Sequence, residues 1–221
     1  MDTSIKKNYS LLSDLVYNAI KEAIIKGELE PGKKVSETGL ARKLEVSRTP
    51  VREALRILHA EGFVSLMPNS KFVVNAFTSD DAQEVLTVRR LLEGEAARLA
   101  ALSTDSGKAA IIRHQRELVP EYIRYATEHT GEESMDYDIE FHRDVYRMSG
   151  NKRLMELGEH IKDRQVRIHL ANNWENLNYG KVFTDQHLLI LDAIERGDAA
   201  DAEAKAHDHI DYLISLLGKQ A

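Results

Sequence analysis

Cysteine is missing from the 221-residue sequence, which excludes disulfide bonds and thiolate metal sites and fits a reducing cytoplasm. Long apolar runs are missing as well: no stretch reaches about 18 apolar residues, so no transmembrane helix is predicted. Residues 1–10 are polar and lack the apolar core of a signal peptide. The hydrophobic fraction of 43% is enough for one large domain or two modest ones. We therefore expect a cytoplasmic protein with one or two packed cores.

Charge is distributed unevenly along the chain. The formal net charge is −6, but residues 1–75 carry 12 Lys and Arg against 9 Asp and Glu, whereas residues 76–221 carry 18 against 27. A mildly basic segment followed by an acidic one is compatible with a DNA-binding domain joined to a domain of another kind. We place the predicted boundary between domains 1–76 and 77–221.

The run from Val46 to Leu58 predicts a DNA-recognition helix. Ser47 and Thr49 are residue types that cap a helix, and Pro50 suits its first turn. An apolar face recurs at helical spacing through Val51, Ala54, Leu55 and Leu58. Arg48 and Arg52 lie four residues apart and share another face near the helix start. A short helix that presents two arginines in this way suits a DNA major groove.

The sequence around this helix predicts a winged helix-turn-helix. Helices are expected at residues 11–26 and 36–44, before the recognition helix. Two short apolar runs, at 63–66 and 72–75, flank a turn and predict a hairpin. A plain helical domain with a hairpin is the alternative, but the arginine pair, the proline start and the hairpin in this order favour DNA binding.

These residues resemble the DNA-binding domain of GntR-family bacterial transcription regulators. The resemblance is carried by Pro31-Gly32, Val35-Ser36-Glu37, Leu40-Ala41, Val46 to Leu55, Leu58 and Glu61-Gly62. It implies that Arg48 and Arg52 contact operator DNA, with Ser47, Thr49, Thr38 and Lys71 as further DNA-contacting candidates. Three positions depart from the family pattern: Thr38 replaces a frequent Arg, Ser70-Lys71 replaces an Arg-Gly pair in the wing, and Glu45 replaces a frequent Gly.

Residues 77–221 show a helical pattern without strand signals. Thr78-Ser79-Asp80-Asp81 predicts a capped helix start. Helices are expected at residues 79–102, 105–128, 132–149, 151–171, 181–196 and 198–217. The predicted fold class is therefore mainly α, an N-terminal winged helix-turn-helix followed by an all-α bundle.

Four polar residues on three of these helices point to a metal site. Asp138 and His142 are four residues apart and share one face. His187 and His209 each lie on the apolar side of their helix, whereas His207 is rotated by about 200° from His209 and faces elsewhere. Three imidazoles and one carboxylate suit a divalent transition metal in a bundle interior. A satisfied core residue remains the alternative for each histidine taken alone.

Residues 80–217 are similar to the FCD effector domain of the FadR-type branch of GntR regulators. The matching segments are Val88 to Glu93, Ala96 to Ala100, Asp138 to His142, Ser149 to Asn151, His187 with Leu191 to Ile194, and His209-Ile210. The resemblance implies that Asp138, His142, His187 and His209 bind zinc or, alternatively, nickel or manganese. It also implies a small carboxylate effector: a hydroxy acid, a sugar acid or a dicarboxylate.

Three further expectations follow from this resemblance. Arg89 is expected to face the effector, a surface ion pair with Glu93 being the alternative. The chain is expected to act as a homodimer and as a repressor of operator DNA rather than as an enzyme. A regulator with a purely structural metal and a bundle metallohydrolase stay open as alternatives, because an open metal position can also support hydrolysis.

Overall fold

A computed structural model describes residues 3–68, 71–128, 132–171 and 179–217. The chain divides into two compact units, Met1–Phe77 and Thr78–Ala221. The described residues form nine helices and one three-stranded sheet. None of the helices in these ranges is long and apolar enough to span a bilayer. The predicted fold class, a winged helix-turn-helix followed by an all-α bundle, is confirmed.

The first unit contains three helices and a small sheet. Its elements are α1 (Thr3–Ile25), β1 (Lys34–Val35), α2 (Glu37–Lys43), α3 (Arg48–Ala60), β2 (Val64–Met67) and β3 (Lys71–Val74). The antiparallel sheet has the order β1-β3-β2, with Val64 opposite Val74. Val51, Ala54, Leu55 and Leu58 are fully buried, so the apolar face predicted for α3 forms the centre of this core.

Three details of this unit differ from the sequence prediction. Helix α1 begins at Thr3 rather than near residue 11, since residues 3–10 contain neither glycine nor proline to stop it. Strand β1 was not predicted, because two residues are too short to show a periodic pattern. Ser47 does occupy the N-cap position of α3, but its side chain makes no capping hydrogen bond, and Thr49 lies inside the helix. The cap expected from these two side chains is therefore wrong.

Glu45 lies in the turn between α2 and α3 with φ of 55°, the left-handed region that favours glycine. We expect Glu45→Gly to raise the free energy of unfolding by about 0.5–1 kcal/mol, since relief of this strain exceeds the added chain entropy of glycine. Urea unfolding followed by circular dichroism measures the change. Glu28→Gly, at an exposed position with no positive φ, serves as the control. A Glu45→Gly variant less stable than the parent would contradict the expectation.

The second unit is an all-helical bundle. Its helices are α4 (Ser79–Leu102), α5 (Lys108–Glu128), α6 (Glu132–Met148), α7 (Lys152–Ala171), α8 (Tyr179–Arg196) and α9 (Ala199–Leu216). Helix α4 starts with the predicted cap: the Thr78 hydroxyl accepts from the Asp81 backbone N–H, and the Asp81 carboxylate accepts from that of Thr78. The first helix of this unit is therefore capped by its own side chains.

Small residues allow helices α4 and α9 to pack closely. Ala96, Ala97, Ala100 and Ala202 are fully buried in the core of this unit. The imidazole of His207 lies against Gly94, where an added Cβ atom would clash with its Nε2 atom. His207 is therefore a packing residue, and the opposite side of α9 carries His209 into the core.

Candidate DNA-binding surface and metal centre

The two arginines of α3 are exposed and held side by side by one carboxylate. Arg48 is the first residue of α3, and Arg52 follows one turn later. The Nη2 atom of Arg48 donates to Glu37 at 3.0 Å, and Arg52 donates to Glu37 through Nε and Nη2 at 3.0 and 3.1 Å. Hydrogen bonds from Arg52 and then Arg48 lower the pKa of Glu37, so it stays ionised. The guanidinium groups thus form one ordered, positively charged patch.

The other predicted DNA-contacting residues are also on the surface of this unit. Ser47 and Thr49 lie beside Arg48 at the start of α3, and both are exposed. Thr38 is exposed on α2, and Lys71 is exposed at the start of β3. Ser70, the other half of the predicted wing pair, lies outside the described residues. The structure therefore leaves each of these four side chains accessible to a ligand in solution.

In the helical unit, Asp138, His142, His187 and His209 lie together and are all buried. Each residue offers one nitrogen or oxygen atom that could bind a metal, and these four atoms all lie within 4.8 Å of one another. The Oδ1 atom of Asp138 is 3.5 Å from Nε2 of His142 and 3.5 Å from Nε2 of His187. We call these four residues the Asp/His cluster. Helices α6, α8 and α9 bring it together from positions up to 71 residues apart in sequence, Asp138 to His209.

Two further side chains hold the histidines of the cluster in place. The Nδ1 atom of His142 is 3.0 Å from Oε2 of Glu93, and Nδ1 of His209 is 2.9 Å from Oε1 of Gln186. These contacts at Nδ1 turn Nε2 of both rings toward the cluster centre, where a neutral imidazole offers its Nε2 lone pair. Nε2 of His209 is buried and has no hydrogen-bond partner among the described residues. A buried acceptor without a donor is costly, and a metal ion would satisfy it.

The electrostatics of the Asp/His cluster depend on its buried ion pairs. Burial opposes charge on His142, but the carboxylates of Glu93 and Asp138 raise its pKa to about 9. Burial likewise opposes ionisation of Glu93, yet Arg89 and His142 lower its pKa to about 2. For His209, burial and the nearby imidazoles of His187 and His142 lower the pKa well below its ordinary value. The cluster therefore contains at least one neutral imidazole, the form that binds a metal.

Arg89 lies at the edge of this cluster and is 1% exposed. Its Nε atom donates to Oε1 of Glu93 at 2.7 Å, and Nη2 lies 3.1 Å from Nε2 of His142. The ion pair with Glu93 is thus a buried one, which differs from the surface pair considered as an alternative. Arg90, the next residue, pairs with Asp211 near the surface.

Two cavities flank the Asp/His cluster. The first, of about 370 Å³, is lined by residues that include Arg89, Glu93, His142, Arg143 and Glu159, and we call it the charged cavity. The second, of about 340 Å³, is lined by residues that include Leu118, Val119, Phe141, His187, Leu188 and Leu191, and we call it the apolar cavity. Both volumes include space that is open to solvent.

Comparison with known proteins identifies both units. Residues 84–212 match the model of the FCD domain, and residues 12–74 match that of the bacterial regulatory proteins of the gntR family. The chain belongs to the GntR family. The FCD match covers more than half of this GntR-family chain. Its units are those of a DNA-binding transcription regulator rather than of an enzyme.

Individual relatives agree with this assignment. The GntR-family chain is 28% identical over 198 residues to the uncharacterized HTH-type transcriptional regulator YdhC of Bacillus subtilis (strain 168), covering 89% of this chain and 86% of that protein. It is 28% identical over 208 residues to a probable D-xylose utilization operon transcriptional repressor of Paenarthrobacter nicotinovorans, covering 94% and 89%. The structure of E. coli McbR/YncC has the same fold, with a TM-score of 0.74, 24% identity and coverage of 95% and 98%.

Sequence reasoning missed three residues that organise these sites. Glu37 binds both arginines of α3, Glu93 orients His142, and Gln186 orients His209. The sequence does indicate a role for Glu93, because Glu93 lies four residues after Arg89 and therefore on the same face of the helix. No such indication exists for Gln186 and Glu37, because their partners are distant in sequence or on another element.

Proposed function

We propose that this GntR-family protein is an operator-binding repressor whose helical unit holds a divalent transition metal at Asp138, His142, His187 and His209 and responds to a small carboxylate effector. The observation that carries the proposal is the Asp/His cluster itself: four buried ligand atoms within 4.8 Å of one another. Buried charges and imidazoles of this kind are retained when they are paired or bind an ion.

Zinc is the first choice of metal, with nickel and manganese as alternatives. Ligands about 2.0–2.2 Å from a tetrahedral zinc ion lie roughly 3.3–3.6 Å apart. The 3.5 Å separations of Asp138 Oδ1 from the Nε2 atoms of His142 and His187 agree with this spacing. Imidazole ligands also suit zinc and nickel, whereas an all-oxygen set would favour magnesium or calcium. Elemental analysis of the purified chain, before and after treatment with a chelator, tests metal binding and identity.

The charges around the metal favour an anionic effector. Arg89 and Glu93 neutralise each other at 2.7 Å, and Asp138 offsets one of the two charges of a divalent cation. The loaded cluster then keeps one net positive charge in a buried setting, which an effector carboxylate would balance. The positive charge of Arg89 lies beside the cluster, with Nη2 3.1 Å from Nε2 of His142, which supports a role for Arg89 in attracting the effector carboxylate. A purely structural metal predicts no thermal shift with any carboxylate.

DNA recognition is assigned to the exposed surface of the winged helix-turn-helix. Arg48 and Arg52 are proposed to read base edges, because a guanidinium can donate two hydrogen bonds to guanine O6 and N7. Ser47, Thr49, Thr38 and Lys71 are proposed to contact phosphates, which set the register of the helix on the duplex. The exposed arginine pair on α3 supports this assignment.

A homodimer is the proposed DNA-binding form. Val88, Leu91 and Leu102 lie along one face of α4 and are 46%, 64% and 56% exposed. Burial of this stripe against a second copy would remove an apolar surface from water. Two recognition helices can then meet two half-sites, and an effector that binds one dimer geometry better shifts the population toward or away from the operator spacing. Analytical ultracentrifugation of the purified chain tests the oligomeric state.

Repression is proposed because one relative is named as a probable repressor. A reporter gene placed behind an operator selected from random DNA by the purified chain provides the test. Expression of the parent chain is expected to lower the reporter signal, and expression of an Arg48→Ala, Arg52→Ala double variant is expected to restore it. A parent chain that raises the signal would overturn repression while leaving DNA binding intact.

Glu93 is expected to strengthen metal binding without touching the ion. Glu93→Gln removes the carboxylate that accepts from Nδ1 of His142, and loss of such an orienting partner typically weakens metal affinity about 10- to 100-fold. Competition with a chromogenic chelator measures the zinc affinity. Glu95→Gln on the same helix, which breaks only the surface pair with Arg98, serves as the matched control. Equal zinc affinities in Glu93→Gln and the parent would contradict the role of Glu93.

A further inference from the structure

The apolar cavity lies on the His187 side of the Asp/His cluster. Its described lining contains no lysine or arginine. Leucine, valine and aromatic side chains from α5, α6 and α8 form its walls. It shares His187 with the cluster, and the ring of Phe141 stacks on that imidazole with centroids 3.8 Å apart. The cavity therefore adjoins the Asp/His cluster through the imidazole of His187 and extends away from it along apolar surface.

The polar groups in this cavity are uncharged or already engaged. The side-chain amide of Gln115 donates to Asp144 at 2.8 Å, and the Tyr137 hydroxyl donates to Glu121 at 3.0 Å. Burial raises the pKa of Tyr122, so its hydroxyl stays neutral. A second anionic group of a ligand would lose its hydration here without meeting a cation, which is unfavourable.

The charged cavity does not favour binding of a second ligand carboxylate either. The two arginines of its described lining have acidic partners in the same cavity: Arg89 pairs with Glu93 at 2.7 Å and Arg143 with Glu159 at 2.7 Å. A dicarboxylate would have to displace one of these protein carboxylates. Among the side chains that the structure describes, the proposed metal is then the cation that remains for a ligand, and one carboxylate is enough to bind it.

We propose that the effector is a monocarboxylate with an apolar or aromatic body, which occupies the apolar cavity between α5, α6 and α8 while its carboxylate faces the Asp/His cluster. This inference rests on the proposed metal-dependent function and narrows its effector class. It disfavours sugar acids and dicarboxylates, which carry hydroxyls or a second charge into apolar walls. The body of the ligand contributes affinity through burial of apolar area.

Calorimetric titration of the zinc-loaded full-length chain with four probes tests the proposal. Phenylacetate has both parts, acetate lacks the body, 2-phenylethanol lacks the carboxylate, and succinate adds a second charge. Phenylacetate is expected to bind at least about tenfold more tightly than each of the other three, since burial of a ring is worth more than the free energy of a tenfold change. Tighter binding of succinate than of phenylacetate would overturn the proposal.

Two neighbouring residues of α8 offer a matched pair of variants. Leu188 lines the apolar cavity, whereas Leu189 is 49% exposed. Leu188→Trp is expected to fill the cavity and weaken phenylacetate binding at least about tenfold while acetate binding stays unchanged; Leu189→Trp is expected to change neither. Leu118→Trp fills the same cavity from α5 and replaces Leu188→Trp if the latter does not retain zinc. Unchanged phenylacetate binding in a folded, zinc-loaded cavity variant would overturn the proposal.

Zinc content and operator binding are measured on the same preparations. These measurements distinguish failure of the proposed metal-dependent function from failure of the proposed effector class. A parent chain that holds no zinc refutes the proposed metal-dependent function and this inference with it. A chain that holds zinc and binds operator DNA, but prefers succinate to phenylacetate, refutes the apolar effector alone.

Discussion

Replacing His209 by alanine is expected to abolish the stabilisation of the chain by zinc. His209 is 1% exposed, and its Nε2 atom faces the cluster without a hydrogen-bond partner among the described residues. At a zinc concentration about 1,000 times the Kd, metal binding stabilises a protein by about 4 kcal/mol. For a chain of this size that corresponds to a rise in Tm of roughly 10 °C. Differential scanning calorimetry with zinc and with chelator should show this rise in the parent chain and none in His209→Ala.

His207→Ala is the matched control for this measurement. It removes an imidazole from the same helix, two residues away, but His207 packs against Gly94 outside the Asp/His cluster. Each variant is compared with itself in the presence and absence of zinc, so the cost of the cavity left by either histidine cancels. A full zinc-induced rise in Tm for His209→Ala would show that the four residues are not a shared metal site.

Replacing Arg52 by alanine is expected to weaken operator binding by about 1–3 kcal/mol, or roughly 5- to 150-fold in Kd. Arg52 makes two of the three hydrogen bonds to Glu37, so its guanidinium is fixed before DNA arrives. Arg48→Ala is expected to have an effect of the same kind. Electrophoretic mobility shifts with the selected operator and with a scrambled duplex, at one fixed salt concentration, measure both affinities.

The loss should be larger on the operator than on the scrambled duplex, because a base contact carries sequence information and a phosphate contact does not. Arg153→Ala, which removes an exposed arginine from the helical unit, controls for the change in net charge. Equal losses on both duplexes would reassign Arg52 to phosphate contact. Unchanged affinity for both duplexes in the Arg48 and Arg52 variants would remove α3 from the DNA interface.

Helical periodicity predicted most of the fold because each unit buries one apolar face per helix. The fully buried Val51, Ala54 and Leu55 are the residues that gave α3 its pattern. Periodicity did not predict two features of the first unit. Residues 3–10 extend α1 although they show no apolar stripe. The pair Lys34–Val35 is a strand because β3 pairs with it. Local sequence predicts an element when the element carries its own packing signal.

The Asp/His cluster was predictable in part for the same reason. Helical spacing relative to apolar residues placed Asp138, His142, His187 and His209 on the core-facing sides of their helices. The structure brings all four together. The partners that orient them were not predictable, because Gln186 meets His209 across two helices and Glu93 meets His142 across 49 residues of sequence. Such contacts depend on how helices are docked, which a single helix pattern does not encode.

The carboxylate of Glu37 has a further consequence for the proposed DNA binding. It cancels one of the two charges that Arg48 and Arg52 would otherwise offer to any stretch of phosphates. We therefore expect this surface to bind random duplex less tightly than two unpaired guanidinium groups would, with a shorter residence time on sequences other than the operator. A base edge that accepts hydrogen bonds in the right geometry restores the lost affinity. We therefore expect Glu37 to lower the overall affinity for DNA and to raise sequence specificity.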